Sequence, residues 1–126
     1  MRCRRGFTLL EILIVVMVIG LLSTMIVGGF TNVVPAGREV AAVNKARIVN
    51  AARLTYALTV PDAPTQWANA LSDSERSTLL VGAGFLSGAA GDWTSATGGY
   101  TLSFGGALRA KTVLKDGGGT ILNYPD

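Results

Sequence analysis

Apolar residues are distributed unevenly along this chain, and their period changes from one zone to the next. Residues 7–30 are almost wholly apolar, and no charged residue occurs between Ile12 and Gly37. At ~1.5 Å per residue, a helix of that length crosses a ~30 Å hydrocarbon layer, so the first property predicted is membrane insertion. Residues 31–59 read as an amphipathic continuation of the same helix. Within it Val40, Val43, Ala51, Leu54 and Leu58 share one stripe, interrupted by Arg47, while Arg38, Glu39, Lys45, Asn50 and Arg53 fall mostly elsewhere. The stripe is expected to pack, leaving the other face wet or in contact with neighbours.

Gly28, Gly29 and Pro35 are the expected weak points of this long helix, because glycine is costly in a helix interior and proline removes a backbone donor. A bend or local melting is expected there. Residues 60–126 read as a small globular domain. Ser72 followed by Glu75 has the form of a capping box, and Leu79, Leu80 and Val81 then lead into Gly82 and Gly84, which predicts a short helix. Tyr100, Leu102 and Phe104 alternate with Thr101 and Ser103, and Leu108, Ala110, Thr112 and Leu114 alternate with Arg109, Lys111 and Lys115. Thr120 to Tyr124 is a shorter strand candidate. Gly105-Gly106 suits a two-residue hairpin loop, and Asp116 to Gly119 suits the next reversal. The expected fold class is α+β: a long N-terminal helix, its apolar half transmembrane, packed by its C-terminal half on a small antiparallel sheet of about three strands.

Charge changes the picture at one end. Eleven Lys and Arg against eight Asp and Glu give +3, but Arg2, Arg4 and Arg5 carry that excess. Without residues 1–6 the chain has eight basic and eight acidic side chains. The leader therefore reads as the cytoplasmic flank of an inserting segment, which places everything after the apolar run outside. The single cysteine, Cys3, lies in that leader too, so a chain trimmed of it has no disulfide. Cys3 precedes the apolar run, whereas a lipoprotein cysteine follows it.

Glu11 stands out within the apolar run. A carboxylate near the centre of a bilayer costs about 2.5 to 3.5 kcal/mol on insertion scales, and less near the membrane edge. Either it reaches back to the interface, or it has a partner. Cleavage after Gly6 would create a terminal amine on Phe7, one helical turn from Glu11. In a bundle of parallel helices, the Glu11 carboxylate of an incoming subunit could pair with the amine of one already docked. An unmatched charge in apolar surroundings is penalised, so such a pair would set the axial register.

The run Arg4-Arg5-Gly6-Phe7-Thr8-Leu9-Leu10-Glu11, followed by a long apolar segment, resembles the class III signal of type IV pilins and type II secretion pseudopilins. The resemblance covers about the first thirty residues, and the helix to Thr59 agrees in length. It implies that Gly6 is the last leader residue for a prepilin peptidase, that Phe7 becomes an N-methylated terminus, and that Glu11 guides assembly. The implied function is a structural subunit of a type IV pilus-like filament, with a secretion pseudopilin as the alternative. Implied partners are other pilin subunits, a prepilin peptidase and methylase, the membrane, and an inner-membrane platform with an ATPase motor. The expected location is the inner membrane, single-pass with the C-terminus outside, then an extracellular pilus or periplasmic pseudopilus. Motility, DNA uptake and secretion are all open as the filament's task. The chain departs from the family in having Gly28 where many pilins carry proline, and in lacking a disulfide loop.

The same residues bear on other functions. No histidine is present, and no cysteine follows the leader, which removes the usual general base, metal ligands and thiol nucleophile of a signal-anchored enzyme. No catalytic residues, metal site or cofactor are assigned. Asp92, Asp116 and Asp126 could supply oxygen ligands to calcium, but their spacing is not that of an EF-hand, and solvated loop carboxylates are the simpler reading. Val34-Pro35-Ala36 could be a signal cleavage site of a secreted, non-filament protein with Gly37 as its new terminus. Nucleic acid is a further candidate partner through Arg109, Lys111 and Lys115, against the plainer role of such residues in protecting a strand edge. Gly20, Thr24 and Gly28 form a small-residue ladder that suits close helix approach, a pattern also common by coincidence in apolar helices.

Overall fold

The computed structural model describes residues 6–125, so the leader residues Arg2, Cys3, Arg4 and Arg5, and the candidate ligand Asp126, lie outside the described residues. The expected α+β layout is present. Three helices come first, α1 (Leu9–Thr59), α2 (Ala63–Asn69) and α3 (Asp73–Gly82), and a short 3-10 turn follows at Ala90–Trp93. Four strands then form one antiparallel sheet in the order β1 (Ser95–Ala96), β2 (Tyr100–Ser103), β3 (Val113–Lys115), β4 (Ile121–Leu122). The strand absent from the sequence reading is β1, whose two residues offer no alternation to detect. It folds back on β2 through Gly98, whose φ of +89° suits glycine and whose missing Cβ leaves room for the Arg38 side chain, which a Cβ would meet at 2.9 Å.

The chain divides after Ala36 into two compact units. In the first, α1 is apolar and its described side chains are exposed. Gly28, Gly29 and Pro35, where a bend or local melting is expected, all lie within α1. Proline costs one backbone hydrogen bond there, and the turns on either side keep theirs.

The second unit, from Gly37 onward, has a core of its own. Ala42, Ala46, Val49, Ala52 and Tyr56 of α1 are buried with Trp67, Leu80, Leu86, Leu102, Phe104, Leu114 and Tyr124. This reverses part of the expected helix orientation. Of the stripe expected to pack, Val40, Leu54 and Leu58 are 59%, 53% and 71% exposed, Ala51 is exposed too, and Val43 alone joins the edge of the core. The buried face is built on alanines, whose small side chains let a helix lie close to its neighbours, so the largest apolar residues did not mark it.

Strand register explains the rest of the core. Leu102 pairs with Leu114, and Leu114 with Leu122, so one row of leucines crosses three strands. The reading of residues 108–115 as a strand reached by a two-residue Gly105-Gly106 loop is corrected: the β2–β3 connection runs from 104 to 112, and β3 starts at Val113. The cause lies in α1. Arg53 donates to the carbonyls of Ala107 (2.5 Å) and Leu108 (3.2 Å), taking acceptors that a strand partner would use. Arg109, Lys111 and Lys115 consequently do not share one strand face, since only Lys115 belongs to β3.

Two local readings hold. Ser72 and Glu75 form the reciprocal capping box at the start of α3. The Asp116 carboxylate accepts from the amides of Gly118 and Thr120, which fixes the reversal before β4. α2 was not foreseen. Its proline stands in the first turn, where the absent N–H has no helical partner to lose, and it buries Trp67.

Candidate functional site

The residues singled out by sequence converge at the start of α1. Gly6, Phe7 and Thr8 precede the helix, all three are exposed, and Phe7 is 81% accessible. The backbone at the Gly6–Phe7 bond is therefore irregular and not helical. Thr8 and Glu11 then cap one another. Glu11 N donates to Thr8 Oγ1 at 3.3 Å, and Thr8 N donates to Glu11 Oε2 at 3.4 Å. Sequence reasoning recognised the same Ser/Thr-x-x-Glu spacing at Ser72 and overlooked it at Thr8.

The cap gives Glu11 a structural role beside any assembly role. Its negative charge sits in the first helical turn, where the macrodipole favours it. Its carboxylate also points back along the chain, onto the amide adjacent to Phe7. An amine on Phe7 would thus form next to a carboxylate already held in place.

Beyond Glu11 the first stretch of the helix leaves its large apolar side chains exposed. From Phe7 to Val27 the large apolar side chains are 48% to 89% exposed. α1 is long and apolar enough to cross a membrane. Its hydroxyls turn inward: Ser23 donates to the Ile19 carbonyl at 2.8 Å and Thr24 to the Leu21 carbonyl at 2.7 Å. Both donors are thereby satisfied without water, as a helix in lipid requires. A Cβ added at Gly20 or Gly28 would meet nothing within 4 Å, so the ladder they form with Thr24 is an open face.

A second feature, missed by sequence, lies in the domain. Arg53 is 1% exposed and spends its guanidinium on Thr112 Oγ1 (3.1 Å) and the two loop carbonyls, while its guanidinium carbon lies 4.9 Å from the Trp67 ring centre. Burial, reinforced by the nearby Arg76 charge, lowers its pKa to about 10. Asn50 accepts from Thr112 N at 2.8 Å and donates to Tyr124 Oη at 3.1 Å, and that phenol donates to the Thr112 carbonyl at 2.5 Å. The polar residues assigned to a wet face are the ones that tie α1 to the C-terminal segment. An amide and a guanidinium on one face, three residues apart, were the available signal.

Next to this network is a cavity of about 480 Å³. Ala51, Leu54, Leu108 and Ala110 give it apolar walls, and Arg47, Arg53, Arg109 and Lys111 surround them with positive charge. Arg47 also donates Nε to the Pro125 carbonyl at 3.3 Å, and Lys111 donates to the Tyr124 carbonyl.

The acidic residues are placed elsewhere. Asp73 pairs with Arg76 at 3.4 Å and accepts from Phe104 N, Glu75 accepts from the amides of Leu71 and Ser72, and Asp92 accepts from Ala89 N. Asp92 and Asp116 thus serve their own loops. Among the described residues no group of three or more metal-binding side chains comes together.

Comparison with known proteins bears on the N-terminal segment. Residues 1–27 match the family model described as the prokaryotic N-terminal methylation motif, the class III signal of type IV pilins and pseudopilins. No curated protein and no solved structure matches the chain.

Proposed function

We propose, on the premise that residues 1–27 are a class III signal, that this chain is the precursor of a type IV pilus-like filament subunit. It enters the membrane through α1 with its C-terminal domain outside, loses residues 1–6 at the Gly6–Phe7 bond, and is methylated on the new Phe7 amine. It then polymerises through α1. One observation carries the reading: a methylation-motif signal leads into a stretch whose large apolar side chains, from Phe7 to Val27, are exposed. Lipid covers that surface first and the α1 helices of other subunits cover it later. The peptidase, the platform and the motor are separate proteins.

In the filament Glu11 meets the Phe7 ammonium of a neighbouring subunit, and the mismatch of one buried charge penalises any other register. The cap at Thr8 complicates a simple alanine test, because Glu11→Ala removes both cap and charge. Glu11→Gln separates them, since an amide oxygen still accepts from Thr8 N but carries no charge. Both variants are expected to yield chains beginning at Phe7 by mass spectrometry and to leave no detectable filament by electron microscopy. Normal filament yield from Glu11→Gln would refute the charge-pairing mechanism. A wild-type chain recovered with Met1 intact, or beginning at Gly37, would remove the whole reading.

A further inference from the structure

The basic cavity of the domain has walls suited to a carboxylate carried on an apolar stem. Ala51, Leu54 and Leu108 supply the apolar part, and Arg47, Arg53 and Arg109 the charge. No carboxylate among the described residues lines it. Arg53 is held by its three hydrogen bonds, so its charge is fixed in place, whereas Arg109 is exposed and makes no hydrogen bond or ion pair with another described residue. From Gly37 onward the chain carries eight basic and seven acidic side chains, so a cluster of four cations here leaves an excess of anions elsewhere on the same surface. A surface polarised in that way is complementary to a copy of itself, head to tail.

Glu39 is the matching feature. It is exposed on α1, its carboxylate shares no hydrogen bond or ion pair with another described residue, and it is followed by Val40, which is 59% exposed. A carboxylate beside an uncovered valine reproduces the cavity's chemistry with opposite sign. Arg38 cannot neutralise it along the helix, because adjacent residues do not face each other. We infer that the cavity lined by Arg47, Arg53 and Arg109 receives the Glu39–Val40 edge of a second copy of this chain. The contact rests on the filament reading and adds a domain-to-domain bond to it. Its Coulomb gain would be modest at a wet rim and larger where Arg53 is dry.

Cysteine pairing tests the contact, in a Cys3→Ser background so that no native thiol interferes. Residue 39 lies about 21 Å along the helix from residue 53, and Arg53 touches the Leu108 carbonyl, so Glu39→Cys and Arg109→Cys in one chain are too far apart for a disulfide, which needs Cα atoms within about 7 Å. Mild oxidation of filaments from the double variant is expected to give a ladder of covalent multimers, where neither single variant goes beyond a dimer. Arg109→Glu is expected to lower filament yield at least tenfold without changing the mature N-terminus, and adding Glu39→Arg to restore it. Filaments of the double variant with no 39–109 ladder overturn the contact and leave the filament reading standing. Arg109→Cys filaments whose introduced thiol is shielded from a thiol reagent by a single-stranded oligonucleotide, with no ladder in the double variant, overturn it in favour of a nucleic-acid phosphate. A wild-type chain that forms no filament removes both.

Discussion

Between Phe7 and Val27 the large apolar side chains are all at least 48% exposed, whereas the domain buries Tyr56, Trp67, Leu80, Phe104 and Leu114 to 1% or less. Both stretches are apolar, but only the second finds partners in its own sequence. The domain closes its core with a sheet, two short helices and the alanine face of α1. The N-terminal helix satisfies its backbone and its hydroxyls internally and leaves its side chains uncovered. Uncovered apolar surface costs about 25 cal/mol per Å² in water, so that helix needs lipid or other helices and the domain does not.

The strongest way to break this contrast is to separate the two stretches. A chain beginning at Gly37 is expected to be soluble, folded by circular dichroism and monomeric by gel filtration, while the full chain fractionates with membranes. Aggregation of the truncated chain would show that the domain needs the first unit to fold. Within the soluble piece, Trp67→Ala is expected to cost about 3–5 kcal/mol of stability in urea, as large-to-small changes of buried aromatics do. Val18→Ala in the full chain is expected to leave the melting of the domain unchanged.

The contrast also explains what could be read in advance. A membrane-length apolar run, a carboxylate inside it and three arginines before it are local features, so the signal that the methylation-motif model matches over residues 1–27 was legible without any tertiary contact. The same holds for the Ser72–Glu75 box and the Asp116 turn, which are closed by neighbours in sequence. The face of α1 was misread because burial there follows closeness to the sheet, not side-chain size, and Ala42, Ala46 and Ala52 carry little hydrophobic signal. Strand β3 was drawn too long for a similar reason: the acceptor groups of Ala107 and Leu108 are taken by Arg53, 54 and 55 residues away, which no local pattern records. α1 remains helical through Gly28, Gly29 and Pro35, so a single lost hydrogen bond does not end a helix of 51 residues.

Arg53 itself sharpens the comparison, since it is the polar counterpart of the buried aromatics. Arg53→Met keeps much of the stem's volume and removes an expensive buried charge, but it strands the carbonyls of Ala107 and Leu108 and the Thr112 hydroxyl. Loss of hydrogen bonds to a charged donor outweighs the relief, and a net destabilisation of about 1–3 kcal/mol is expected from urea unfolding of the domain. A variant more stable than wild type would mean that the loop from 104 to 112 finds other donors once the guanidinium has gone.

The smallest expected effect separates two neighbours in that core by pH. Burial raises the Tyr56 phenol above its ordinary value of 10.0, so the stability it contributes is complete below pH 10 and is lost as pH climbs through the folded-state value. Arg53 runs the other way. With its pKa lowered by burial from the ordinary guanidinium value to about 10, the folded state releases that proton first, and stability from this group rises as pH climbs above 10. The two therefore oppose one another in alkali and neither titrates at neutrality. Tyr56→Phe removes the first and leaves the second, at the cost of the 2.6 Å hydrogen bond from Tyr56 Oη to Gln66 Oε1. That bond is worth about 1 kcal/mol, which sets the deficit expected for the variant at pH 7. The deficit is expected to shrink when urea midpoints are compared at pH 9 and pH 11, because only the wild-type domain then has the Tyr56 phenol to keep protonated. A deficit that stays constant across that interval would mean that Tyr56 ionises as readily in the folded domain as in the unfolded chain.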